Sequence, residues 1–186
     1  MAIQIGQHPD RPYRIADAGM DPAQADLVRR IRNGPRKDLP VNMEIWLHSP
    51  RYAEVVNSFA EYVGQLAPMT RRVKEITILV VAASLGSEFE RYWHERIGRT
   101  LDLTDAQMAA IRARVPASFA DPVEQTAHDL AVALMQHRTV DAELHRRGVA
   151  VLGHAAMAEL VGLIGLYTMV AYSLDIYRVP VPDDAA

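Results

Sequence analysis

The segment 86–98, GSEFERYWHERIG, places a histidine one helical turn after a carboxylate. Glu90 and His94 are four residues apart, so their side chains meet if the segment is helical. A half-buried histidine beside a carboxylate has its tautomer and proton affinity set by that partner, which suits proton transfer near neutral pH. The same pair also fits an ordinary contact on a helix surface, and the residues alone leave both interpretations open.

Ser87 is the second candidate for chemistry in this segment. It lies seven residues before His94, which is about 10 Å along a helix that rises about 1.5 Å per residue. A serine nucleophile needs its base within hydrogen-bonding distance, so we expect no direct activation by His94. We expect Ser87 to cap the helix instead, with SEFE at 87–90 as a capping box. On a helical wheel, Glu88 and Glu95 point toward solvent.

The composition excludes several kinds of chemistry. No cysteine occurs among the 186 residues, which removes disulfides, thiolate metal sites and every thiol-based mechanism. The net charge of −3 and the scattered Lys and Arg give no electrostatic reason to expect a nucleic-acid partner. The remaining histidines lack metal-ligand spacing, and the sequence contains no phosphate loop or dinucleotide fingerprint. We therefore expect neither a metal nor a cofactor.

The elements that must position these residues are helices. Nearly every segment from residue 21 onward has helical periodicity, and no run alternates with period two. Asp21, Ser49 and Asp121 each precede a proline and indicate helix starts, while TDAQ at 104–107 fits a capping box. Gly86 suits a left-handed helix end. The predicted fold class is all-α, with helices at 22–32, 41–47, 50–66, 71–85, 88–99, 105–114, 122–138, 142–152 and 154–177.

One helical domain is expected at 21–182, with an irregular arm at 1–20 and a short tail at 183–186. The arm has no basic-then-apolar signal pattern, and the apolar run 76–85 is shorter than the roughly 20 residues of a membrane span. We therefore expect a cytoplasmic protein with no membrane partner. The apolar helix at 154–177 needs cover on several sides, from the core or from another subunit. A homo-oligomer, whether dimer, trimer or hexamer, is expected.

Two stretches carry a resemblance to a known superfamily. Residues 75–112, EITILVVAASLGSEFERYWHERIGRTLDLTDAQMAAIR, resemble the core motif of the carboxymuconolactone decarboxylase and alkyl hydroperoxidase D superfamily. Residues 158–182, AELVGLIGLYTMVAYSLDIYRVPVP, resemble the last helix and exit of the same superfamily. The resemblance covers roughly residues 40–182. It implies an alkyl hydroperoxidase D-like bundle of about eight helices.

The peroxidase branch of this superfamily has a glutamate, eleven residues, a cysteine, two residues, a cysteine, three residues and a histidine. On this sequence the glutamate matches Glu75 and the histidine matches His94. The two cysteine positions hold Ser87 and Glu90, which cannot form or resolve a disulfide. We therefore expect no thiol peroxidase or disulfide-reductase activity.

The cysteine-free decarboxylase branch is a better match, because it keeps a glutamate-rich stretch that ends in histidine. The resemblance implies a cofactor-free carbon–carbon lyase that acts on a small lactone or unsaturated organic acid. His94 is then the catalytic acid or base, with Glu90 and Glu75 tuning its proton. Glu75 also fits a structural pair with Arg71 or Arg72. Two other functions stay open: a non-catalytic small-molecule-binding or assembly protein of the same fold, and a cofactor-free hydrolase or isomerase.

Four further residues are candidate substrate-binding groups. Arg91 is the cation nearest His94 in sequence and is suited to hold a substrate carboxylate. Trp46 and His48, in NMEIWLHSP, precede a helix start and are candidates to line a pocket. Tyr167 lies on the apolar last helix and carries a hydroxyl. Each has a structural alternative, since tryptophans and tyrosines usually pack in cores and a histidine at a helix start often serves the backbone.

Overall fold

The computed structural model describes residues 5–34, 37–66 and 68–182. Within these residues it contains nine α-helices and no strand, so the all-α prediction is confirmed, with nine helices where the resemblance implies about eight. The predicted tail at 183–186 and the first four residues of the predicted arm lie outside the described residues. The helices are α1 Pro22–Asn33, α2 Val41–Trp46, α3 Pro50–Glu61, α4 Arg71–Leu85, α5 Glu88–Thr100, α6 Asp105–Ala113, α7 Pro122–Val132, α8 Ala142–Val151 and α9 Gly153–Ile176.

Most of the predicted helix ends are formed by the expected residues. The side chains of Asp21 and Thr104 both close capping boxes, and Gly86 ends α4 in the left-handed region with φ of 70°. The capping box predicted at Ser87 is wrong, because the Ser87 hydroxyl makes no capping hydrogen bond. The Glu90 carboxylate that would complete the box is directed toward His94 instead.

Helix α4 forms the centre of the molecule. It packs against α5, α7 and α9, and residues 73–82 are all buried. An apolar surface on all sides requires such cover. Two polar side chains of this buried stretch bond to backbone carbonyls: the Thr77 hydroxyl donates to Val73 at 2.9 Å, and Lys74 Nζ donates to Gly64 at 3.0 Å. Glu75 is therefore an acid held in the most buried helix of the bundle.

Helix α9 lies against α4 and contributes Leu163, Leu166 and other apolar residues to the core. By length and composition alone it could cross a membrane, a criterion that the core helix of a globular bundle also meets. Its other side leaves Val161, Tyr172 and Ile176 exposed. Helix α3 lies beside α9, since an added Cβ at Gly162 would lie 3.3 Å from the Phe59 ring and the Tyr52 hydroxyl lies 2.8 Å from Met169 Sδ.

The segment before α1 packs onto the end of α9. Tyr13 is fully buried, and its ring meets the Tyr177 ring edge-on with centroids 6.0 Å apart. The Arg11 guanidinium donates to the Ile176 carbonyl at 2.7 Å. The first part of the chain is thereby fixed beside the last turn of α9, close to the helices that carry the site.

Candidate active site

His94 is held between two carboxylates from two helices. Its Nδ1 lies 2.6 Å from Glu75 Oε2, and its Nε2 lies 3.3 Å from Glu90 Oε2. The exposed fractions are 9% for His94, 7% for Glu75 and 6% for Glu90, so none of the three belongs to a solvated helix surface. The contact between Glu90 and His94 is thus a buried one, and the surface-pair interpretation does not describe it.

Glu75 is available to His94 because a neighbouring arginine binds a different carboxylate. Arg72, one of its two possible structural partners, binds Glu124 instead, with 2.6 Å from Nε to Oε1 and 3.0 Å from Nη2 to Oε2. Glu75 is left to accept a hydrogen bond from the histidine on α5. The turn at Gly86 brings α5 back along α4, and this places the two side chains together.

The carboxylates determine the protonation of His94. Burial lowers the pKa of His94, but the hydrogen bonds and negative charges of Glu75 and Glu90 outweigh this effect and raise the pKa to about 9. The ring is therefore an imidazolium at neutral pH, with Nδ1–H directed to Glu75 and Nε2–H to Glu90. Such a group can donate a proton, whereas it has no free nitrogen to accept one.

His94 and Glu90 line a cavity of about 690 Å³. This volume lies within the roughly 300–1,000 Å³ of small-molecule sites. One part of the wall is aromatic and apolar, and the chain before α3 contributes the charged part. The lining residues include Phe89, Trp93, Leu166, Tyr167 and Val170 on the apolar side and Arg32, Lys37, Asp38 and Glu44 on the charged side. Glu75 is not among the lining residues, so it supports His94 from behind.

Of the four predicted substrate-binding residues, Tyr167 lines this cavity. Its ring meets the His94 ring edge-on, with centroids 5.1 Å apart. Trp46 does not line it: the indole is 5% exposed and donates from Nε1 to Ser173 Oγ at 2.8 Å. His48 is exposed, and its Nε2 lies 2.8 Å from the Tyr13 carbonyl oxygen. Trp46 and His48 therefore make structural contacts within the protein and do not line the cavity.

Arg91 lies outside the cavity, on the side of α5 that carries Glu88 and Glu95. It pairs with Glu88 three residues earlier, and its Nη1 lies 3.6 Å from Glu95 Oε1. The prediction that Glu95 faces solvent is wrong, because it is 5% exposed and accepts a hydrogen bond of 2.6 Å from Arg112 Nη2. A helical wheel of α5 alone does not show that α6 places Arg112 beside Glu95.

Two cavity residues, Arg32 and Lys37, have no counterpart among the candidates found in the sequence. Arg32 is in the last turn of α1, where basic residues commonly complement the helix dipole. Nothing in the local sequence distinguishes it from Arg29 or Arg30. Only the packing of the chain before α3 against α5 and α9 brings it to the cavity. Among the described residues, no group of three or more His, Asp or Glu side chains could hold a metal ion.

Solved structures share this architecture. A cysteine-to-alanine variant of the debrominase Bmp8, in complex with 2,3,4-tribromopyrrole, has a TM-score of 0.71 at 12% identity, covering 98% of this chain and 96% of that chain. An uncharacterized peroxidase-related protein from Silicibacter sp. TM1040 has a TM-score of 0.71 at 10% identity, covering 96% and 93%. An uncharacterized peroxidase-related protein from Ralstonia eutropha JMP134, described as an alkylhydroperoxidase AhpD core, has a TM-score of 0.70 at 12% identity, covering 99% and 96%.

The chain therefore has the alkyl hydroperoxidase D-like fold, and the fold that residues 75–112 imply is confirmed. No protein-family model and no curated protein matches the sequence. Likeness at 10–12% identity establishes the fold, and the chemistry has to be argued from the site itself.

Proposed function

We propose that the protein is a cofactor-free carbon–carbon lyase of decarboxylase type that acts on a small unsaturated organic acid or lactone acid. The observation that carries the proposal is a buried His94 held between Glu75 and Glu90 at the wall of a cavity. Loss of carbon dioxide leaves a carbanion that must be protonated. A histidine whose pKa is raised to about 9 is a proton donor at neutral pH.

In the proposed reaction, the bond between the substrate carbon and its carboxylate carbon breaks. The bonding electron pair moves into a conjugated carbonyl of the substrate, and carbon dioxide leaves. The resulting enolate takes a proton at carbon from His94, and the neutral ring then regains a proton from solvent. Charges and atoms balance without a second reactant.

We assign the donated proton to Nε2 of His94. Nδ1 is bound by Glu75 at 2.6 Å, and Glu75 is not part of the cavity wall. Glu90 is part of the wall and is separated from Nε2 by a longer distance of 3.3 Å. Its negative charge disfavours a carboxylate in the cavity more than neutral carbon dioxide, which favours the forward reaction.

Proton donation by His94 favours decarboxylation over a hydrolysis in which His94 is the base. A hydrolase needs a base that takes a proton from water, and a protonated ring is not suited to that role. The debrominase Bmp8, which shares the fold, is described in complex with 2,3,4-tribromopyrrole, and this supports a small unsaturated ring as the kind of molecule that the cavity accepts. Thiol chemistry is not available to this chain, since it contains no cysteine.

The test is a panel of unsaturated lactone acids and keto acids, assayed for carbon dioxide release in deuterium oxide. The product is expected to carry one deuterium for each carbon dioxide released. His94→Gln and Glu90→Gln should remove most of the activity, and His128→Gln, at a buried histidine outside the cavity, is the matched control. Folded His94→Gln and Glu90→Gln variants with wild-type turnover would contradict the mechanism.

We also propose that the protein is a homo-oligomer whose contact surface includes α3 and α9. Both helices expose apolar side chains and lie side by side, a pattern typical of subunit interfaces. The exposed residues are Tyr52, Val55 and Phe59 on α3, Tyr62 directly after α3, and Val161, Tyr172 and Ile176 on α9. Sedimentation equilibrium should give a mass above 20.7 kDa, and Val55→Glu with Ile176→Glu should return it to one chain. A wild-type monomer would contradict this proposal.

A further inference from the structure

The charged part of the cavity wall contains two cations that form no ion pair within the described part of the chain. Arg32 and Lys37 both line the cavity, and neither forms an ion pair with any residue in 5–34, 37–66 or 68–182. The other arginines of α1 differ: Arg29 and Arg30 both bind Asp26 on the same helix. A guanidinium that faces a cavity without a carboxylate partner is available to a ligand, and its two parallel N–H groups match a carboxylate.

The acids near these cations leave the wall positive. Glu44 also lines the cavity, but it accepts a hydrogen bond of 3.0 Å from Arg14 Nε, so its charge is balanced. Among the described lining residues of this part of the wall, Asp38 is then the acid without an ion-pair partner, and it faces two cations. The other part of the cavity holds Glu90, already engaged by His94. An anion entering the cavity is thus attracted toward Arg32 and Lys37.

The rest of the wall suits a flat apolar group. Phe89 and Trp93 line the cavity with ring centroids 6.4 Å apart, and Tyr167 lies beside His94. Aromatic side chains bind flat unsaturated groups through offset or edge-on contacts. The cavity therefore offers a cationic end and an aromatic body, with the His94 proton donor between helices α4 and α9.

We propose that Arg32, assisted by Lys37, is the specificity-determining residue that binds the anionic end of an unsaturated organic acid. The aromatic residues Phe89 and Trp93 bind its body, and the chain before α3 thereby selects the ligand. The link to decarboxylation rests on the proposed function, but anion binding by Arg32 does not require turnover. The two proposals can therefore fail separately.

The experiment is a binding titration with trans-cinnamate and its neutral amide, cinnamamide. The chain has two tryptophans, of which Trp93 lines the cavity and Trp46 does not, so their indole N–H signals in ¹H–¹⁵N spectra report on the cavity and on the core. Cinnamate should shift the Trp93 signal and leave the Trp46 signal in place. Cinnamamide should bind at least about tenfold more weakly, because it lacks the charge-assisted hydrogen bonds to Arg32.

Arg32→Gln should weaken cinnamate binding by roughly tenfold or more and leave cinnamamide binding unchanged. Lys37→Gln should have a smaller effect of the same kind, since an ammonium binds a carboxylate without the parallel geometry. Arg29→Gln is the matched control, because Arg29 lies on the same helix, pairs with Asp26 and does not line the cavity. It should bind cinnamate like the wild type.

Three results would overturn the inference: equal binding of the acid and the amide, an unchanged cinnamate affinity in Arg32→Gln, or no shift of Trp93 at millimolar cinnamate. If cinnamate binding depends on Arg32 while no acid in the panel loses carbon dioxide, the proposed function fails and this inference stands. If His94→Gln abolishes decarboxylation while Arg32→Gln binds cinnamate normally, this inference fails and the proposed function stands.

Discussion

Two buried histidines in this protein lie beside carboxylates, and they differ in what surrounds them. His128 on α7 is 4% exposed, and its Nδ1 lies 2.9 Å from Asp129 Oδ1. Asp129 also accepts hydrogen bonds from Gln125 at 2.8 Å and from Arg147 at 2.5 Å. Burial raises the pKa of Asp129, but these hydrogen bonds outweigh that effect and lower it. The charge of Asp129 is therefore balanced by partners within the protein.

His94 contacts two carboxylates, and neither of them forms an ion pair with an arginine of the described residues; one of the two lines a cavity. The two carboxylates therefore stabilise the protonated form of His94 at the wall of the cavity. The comparison teaches that a buried histidine–acid pair is not by itself a site. The difference lies in a second carboxylate that has no arginine or lysine partner among the described residues, and in a cavity large enough for a ligand.

The largest effect is expected from His94→Gln. Removing a general acid typically lowers turnover by about 10²–10⁴-fold, whereas His128→Gln should change turnover by less than about threefold. Initial rates of carbon dioxide release measure both, with circular dichroism to show that each variant is folded. Similar losses in the two variants would remove the distinction between the histidines.

The second effect is a dependence of stability on pH. The pKa of His94 is raised to about 9 in the folded protein, above its ordinary value of 6.5. Its stabilising contribution is therefore complete below about pH 6.5 and is lost as the pH rises through about 9, amounting to roughly 3 kcal/mol at most. Urea unfolding between pH 6 and pH 10 should show this fall, and His94→Gln should flatten it. A curve in His94→Gln as steep as that of the wild type would assign the effect to another group.

The third effect concerns the acid behind the ring. Glu75→Gln removes a negative charge 2.6 Å from Nδ1, so the pKa of His94 should fall and less of the ring should be protonated at neutral pH. Turnover at pH 7 should drop by roughly tenfold, with a larger share recovered at lower pH. Titration of the ring by NMR measures the pKa directly. If the pKa is unchanged, Glu90 alone sets it.

The smallest effect on turnover is expected from Asp129→Asn. This change weakens the hydrogen bonds to His128 and Arg147 and should lower the free energy of unfolding by about 1 kcal/mol. The pKa of His94 and the turnover should stay as in the wild type. Thermal unfolding and the carbon dioxide assay measure the two quantities side by side. A clear loss of turnover would show that the two histidines are coupled.

The helices could be predicted closely from the sequence because their signals are local. A proline after Asp21, a capping box at Thr104 and a glycine at Gly86 act within one turn of the chain, and the structure uses each as expected. Local signals fail where a tertiary partner competes. Ser87 precedes a glutamate in the capping-box spacing, but His94 and the buried position of Glu90 draw that carboxylate away.

The site could be predicted only in part. The spacing of Glu90 and His94 is visible within one helix, while Glu75 came from the resemblance to a known superfamily. Arg32 and Lys37 could not be found, since their role depends on a chain segment that packs over the bundle from far away in sequence. Arg91 illustrates the same point, because sequence proximity to His94 does not show which side of α5 it occupies.

The anchoring of Tyr13 against Tyr177 has a consequence for synthesis of the protein. Tyr13 cannot meet Tyr177 until α9 has been synthesised. A nascent polypeptide that stops short of α9 also lacks Leu166, Tyr167 and Val170 of the cavity wall. The closed cavity should therefore form only once the final helix is present, rather than gradually with chain length.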